Sequence, residues 1–75
     1  MEQTYQINIH IMGDLQPKMT KVKQDGTHFH IVMPDQHEVV VTFSPNLDLV
    51  QTEGTPLDSN TIHSISEALK SHLLL

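Results

Sequence analysis

An α+β domain is what this sequence predicts: a two-layer antiparallel β-meander of four to five strands with one C-terminal helix packed on one sheet face. Three observations carry that expectation. Apolar residues alternate with polar ones along much of the chain, as in strands with one face buried. Turn pairs, Asp25-Gly26, Pro34-Asp35 and Pro45-Asn46, separate the runs. Towards the C-terminus the period changes, and Ile62, Ile65, Leu69 and Leu73 recur at helical spacing.

The first strand covers about residues 4–12, where Tyr5, Ile7, Ile9 and Ile11 alternate with Gln6, Asn8, His10 and Met12. Gly13, Asp14 and Pro17 punctuate the connection to a second, polar strand over about 18–24. Gln24-Asp25-Gly26-Thr27 reads as a two-residue hairpin, because Asp-Gly supplies the positive φ values of a type I′ turn. That turn would set Val22 opposite Phe29 and Thr20 opposite Ile31 on the core face. Lys23 would face His28, and Lys21 would face His30, on the other.

The third and fourth strands cover about 27–33 and 37–43. Phe29, Ile31 and Met33 must share a face with Val39 and Val41, since a one-residue slip would turn the whole apolar set outward. An odd loop, Pro34-Asp35-Gln36, satisfies this and puts Phe29 opposite Val41 and Ile31 opposite Val39. Ser44-Pro45-Asn46 leads by the same logic into a weaker fifth strand over 47–52, closed by Gly54 and Pro56. Asp58 is a good N-cap for a helix over about 59–73, with Leu57 stapled onto Ile62. The 75 residues form one domain. Such a chain exposes roughly 4,650 Å² when folded, which leaves a thin core.

One helix covers one face of a five-stranded sheet. The other would carry Met12, Met19, Lys21, Lys23, His28, His30, Val32, Glu38, Val40 and Thr42, with Met19 opposite Val32 and His30 opposite Val40. Valine, methionine and histidine interleaved with charge suit an interface better than plain solvent exposure. Met19, Lys21, Lys23, His28, His30, Val32 and Val40 are therefore interface candidates. Leu74 and Leu75 join them, because the C-terminal leucines exceed what one helix face can hide.

Composition narrows the function further. The net charge is −5 and there is no arginine, which weighs against nucleic-acid binding. Lys18, Lys21 and Lys23 crowd the second strand, as on a guarded, solvated edge. With no cysteine there are no thiolate metal sites or disulfides, and a reducing compartment is favoured. The N-terminal segment lacks the pattern of a signal peptide, and no apolar run approaches membrane-spanning length. A cytoplasmic protein without a cofactor or membrane partner is expected.

Two chemical readings centre on the histidines. His28 and His30, two residues apart on a strand, share a face and offer a weak metal-ligand pair that Glu38 or His10 would complete. The second reading starts from Gly26-Thr27-His28, the strand after it, Pro34-Asp35, and Thr61-Ile62-His63-Ser64-Ile65 in a terminal helix. From about Gln24 onward this run resembles the HicA-type ribonuclease toxins, in which a Gly-Ser/Thr-His segment carries the active histidine. The resemblance implies His28 as a general base. The chain departs from that family by opening with a strand in place of a helix and by being acidic, and no family is assigned from it. No nucleophile motif or carboxylate pair appears, and Asp14, Asp25, Asp35 and Asp58 fit turns and a cap. The expectation is a small acidic non-enzymatic interaction module of the inhibitor, antitoxin, immunity or regulatory-subunit type. It would self-associate through its uncovered sheet face. The alternative is a histidine-based ribonuclease-like or metal-binding protein centred on His28 and His30.

Overall fold

Five strands follow one another across a single antiparallel sheet: β1 (Glu2–Ile9), β2 (Lys18–Asp25), β3 (His28–Val32), β4 (Glu38–Phe43) and β5 (Leu49–Glu53). Helix α1 (Ser59–Leu73) then packs on one face. The computed structural model describes residues 2–10, 16–33 and 35–74. The continuation of the first strand through Ile11 and Met12 lies outside those residues.

The expected alternation decides the core. Ile9, Val22, Ile31, Val39 and Val41 are fully buried on one sheet face, under Ile65 and Leu69 of α1. Phe29 meets Phe43 edge to face, with ring centroids 5.7 Å apart. The first and last elements are joined directly. The His10 N–H donates to Ser64 Oγ at 2.7 Å. Tyr5 stacks on His72 at 3.9 Å, and its hydroxyl donates to Gln24 Oε1. Burial raises the Tyr5 pKa above its ordinary value.

The β2–β3 hairpin differs from expectation. Asp25 pairs with His28, so Gly26 and Thr27 are the central residues. Gly26 has φ 61 and Thr27 is not left-handed, the pattern of a type II′ turn with glycine first. The register therefore moves by two, to Val22 opposite Ile31, Lys23 opposite His30 and Lys21 opposite Val32. Met19 pairs with Asn8 of β1 and is not opposite Val32. A shift of two preserves parity, so the core face is unchanged. β2 is also an interior strand, and its lysines guard no edge.

The β3–β4 register is the expected one, with Phe29 opposite Val41, His30 opposite Val40 and Ile31 opposite Val39. Met33 donates its N–H to His37 O at 2.7 Å, and Gln36 returns one to Met33 O at 2.9 Å. The β4–β5 loop repeats this pattern: Ser44 N–H to Asp48 O at 2.8 Å and Leu47 N–H to Ser44 O at 2.9 Å. Its three residues are Pro45, Asn46 and Leu47, one later than expected, so β5 starts at Leu49. Both loops end in a left-handed residue, Gln36 (φ 74) and Leu47 (φ 65). A left-handed L-residue costs roughly 1–2 kcal/mol, and glycine gives back part of that gain through the unfolded chain. Leu47 is 43% exposed and has little packing to lose. Leu47→Gly should therefore stabilise the protein by about 0.5–1 kcal/mol, read as a higher urea midpoint.

The helix matches its expected span and N-cap. Asp58 accepts hydrogen bonds from the Thr61 N–H and hydroxyl. Its buried face is less apolar than expected, since Thr61 and Ser66 lie inside it. Ile62 is only half-buried, on the wall of a groove shared with Leu49 and Leu57 between α1 and β5. The molecule exposes 5022 Å², more than the roughly 4,650 Å² typical of its mass.

Candidate functional site

The face turned away from α1 is ordered into rows by the strand register. One row reads Gln6, Lys21, Val32, Glu38 from β1 to β4. The next reads Thr4, Lys23, His30, Val40, Glu53, and the third Glu2, Asp25, His28, Thr42, Val50. Charge is thereby partly sorted by strand, with Glu2 on β1 and Asp25 on β2 as the exceptions. Both lysines of these rows stand on β2, while β4 and β5 contribute the carboxylates Glu38 and Glu53. Val32, His30 and Val40 form the strip between them.

The interface candidates do not all share this face or its exposure. Lys21, Lys23 and His28 are exposed, and His30 and Val32 are half-buried. Met19, 62% exposed, lies at the end of the same face beside Asn8. Val40 is only 7% exposed, because the longer side chains of its row neighbours His30 and Glu53 stand beside it. It lends the strip rigidity more than area. Leu74, 91% exposed, follows α1 on the opposite side of the sheet and is not part of this surface. Leu75 lies outside the described residues.

The histidine pair is placed as its spacing implied, with different neighbours. His28 faces Asp25, and only His30 faces a lysine, Lys23. His30 Nδ1 lies 3.6 Å from Glu38 Oε1. His10 follows β1, two strands away from β3. Among the described residues no three His, Cys, Asp or Glu side chains gather as a metal site requires. The ring of His28 has no hydrogen-bond partner among those residues to orient it as a general base.

A second histidine–carboxylate pair was not legible as such. Asp35 accepts from the His37 N–H at 3.1 Å and meets the His37 Nδ1 at 2.9 Å. Both border a cavity of about 320 Å³ floored by Met33, Val39 and Leu57, with Asp58 and Thr61 on the far rim. Sequence marks Asp35 as a turn residue. The signal for more was the Asp-x-His spacing, which brings an Asx-turn carboxylate over the second residue along. The Thr61 hydroxyl on the rim is bound to Asp58 and not to His37, and both side chains of the His37–Asp35 pair are largely in solvent.

Hydrogen bonds hold both rim carboxylates below the ordinary aspartate range. The His37 N–H does this for Asp35, and the Thr61 hydroxyl and N–H do it for Asp58. A lowered folded pKa contributes stability that is complete above the unfolded value. It is lost as pH falls below about 4 and on through the lowered value. Asp58→Ala should lower the melting temperature by several degrees at neutral pH and flatten the acid limb. Asp58→Asn, which keeps a capping acceptor without a titrating group, should flatten the limb while losing less at neutral pH. Melting temperature against pH checks both.

Compared with known proteins, the chain matches no family model, no curated protein and no solved structure. Among the described residues, no helix is long and apolar enough to cross a membrane.

Proposed function

We propose that the protein is a small non-enzymatic interaction module that presents its uncovered sheet face to a protein partner. The observation that supports this reading is the strip of Val32, His30 and Val40, flanked by Lys21 and Lys23 of β2 on one side and by Glu38 and Glu53 on the other. A face meant for water alone would not sort its charges around a central apolar strip. Interfaces do, because an apolar centre supplies affinity while charges of both signs at the rim fix the docking orientation. The cytoplasm, a reducing compartment in which a domain without disulfides gives up no stability, suits such a module.

The absence of cysteine makes a direct test available. A photoreactive thiol label on Val32→Cys reports the open face, and the same label on Glu67→Cys reports the outer side of α1. The expected result is cross-linked adducts in cells from the first position and none from the second. Equal labelling from both positions, or none from either, overturns the reading.

A further inference from the structure

Resting on the reading that the open face is the interaction surface, we propose that its partner is a second copy of this chain. The two copies stack face to face about a two-fold axis running along β3. The register leaves few alternatives. A two-fold axis running across the strands lays every strand on its own copy. It would set Lys23 over the partner's Lys23 and Glu53 over the partner's Glu53. An axis along β3 instead lays β2 on the partner's β4 and β1 on its β5. Lys21 and Glu38 occupy the same row, on either side of Val32. Each Lys21 therefore meets the partner's Glu38, twice in the dimer, and the two Val32 side chains meet on the axis.

On the axis His30 and His28, like Val32, meet their own copies. Lys23 lies over the partner's Val40 with the partner's Glu53 beside it. Asp25 lies over the partner's Thr42, and Thr4 over the partner's Glu53. No lysine meets a lysine and no carboxylate meets a carboxylate. The face thus meets itself without a lysine–lysine or carboxylate–carboxylate contact in one orientation, whereas the other brings Lys23 onto Lys23 and Glu53 onto Glu53 and offsets them only with Lys21 over the partner's Asp25. Aligned packing of two twisted sheets tolerates this arrangement, with the strands turned by about 30°. Its extent sets the strength. Five strands about 4.8 Å apart, sharing roughly 17 Å of length, give a projected face on the order of 350 Å² per copy. Two such faces belong with the weak, reversible interfaces, so the dimer forms only at high protein concentration.

Charge reversal tests the symmetry itself. Lys21 is exposed and the Glu38 side chain is 60% exposed, so neither change disturbs the core. In sedimentation equilibrium, Lys21→Glu alone and Glu38→Lys alone should each weaken self-association about ten-fold, because both symmetry-related pairs turn repulsive. The double variant should recover the parent's association. An equimolar mixture of the two single variants should also recover it, since each then finds its complement in the other. Added salt should weaken the parent dimer. A parent that stays monomeric to about 1 mM, or single variants that associate like the parent, or a mixture that fails to recover, overturns the proposal. If the Val32→Cys label still captures a foreign protein, the interaction module stands and only its partner was misassigned.

Discussion

Leu69→Ala should leave the protein largely unfolded at room temperature, while Leu74→Ala should melt like the parent. Leu69 is completely buried under the sheet's apolar face, and Leu74 is 91% exposed beyond the helix. Truncating a buried leucine costs about 2–5 kcal/mol, through lost transfer energy and the cavity left behind. A domain of this length has a total stability of roughly 4–11 kcal/mol, and one with so thin a core sits at the lower end. A single layer of helix-to-sheet contacts supplies much of that, and among the described residues no second core shares the loss. Circular dichroism melts of the two variants check the prediction. A Leu69→Ala protein that melts like its parent would show that α1 buries a different face.

Gly54→Ala should be nearly as damaging, for a backbone reason. Gly54 has φ +97, which an L-residue adopts only under strain. A Cβ there would also stand 2.7 Å from Glu38 O and 2.9 Å from Val39 Cγ1. Backbone strain and the forced shift of β4 each cost about 1–3 kcal/mol. Gly26 is the internal comparison. It too has positive φ, but a Cβ there meets nothing within 4 Å. Gly26→Ala should therefore cost only about 1 kcal/mol. Urea melts of both variants measure the difference, and equal losses would mean that the approach of Gly54 to β4 is relaxed at no cost.

What was legible follows from what a hydrophobic pattern can encode. Alternation fixes which face a strand buries, so Ile7, Ile9, Val22, Phe29, Ile31, Val39 and Val41 were assignable before any coordinates. It cannot separate registers that differ by two, because both bury the same set. The β2–β3 hairpin was therefore free to move from an Asp-Gly to a Gly-Thr turn. Where a loop of odd length was required, as between β3 and β4, the register followed. Alternation is equally silent about burial by neighbours. Val40 points away from the helix and is still 7% exposed, since flanking side chains in a sheet's interior cover a small one. The buried Thr61 and Ser66 escaped because an apolar stripe was the only helical signal read. On the candidate site, the strip and its charges were visible, but the row that aligns Lys21, Val32 and Glu38 needed the true register.

The contact between β1 and α1 carries a consequence for the chain while it is being made. Ile9 and Leu69 share one core, yet 60 positions separate them, counted as 69 − 9. At roughly 5–20 residues per second, the ribosome needs about 3–12 s to add that stretch. During those seconds each hairpin can close on its own turn, but the apolar side of the growing sheet has no lid. A nascent chain in this condition is a substrate for chaperones and an opportunity for neighbouring nascent chains to stick together. Slowing elongation within the codons of α1 should therefore lower the soluble yield of the protein more than an equal pause within β1.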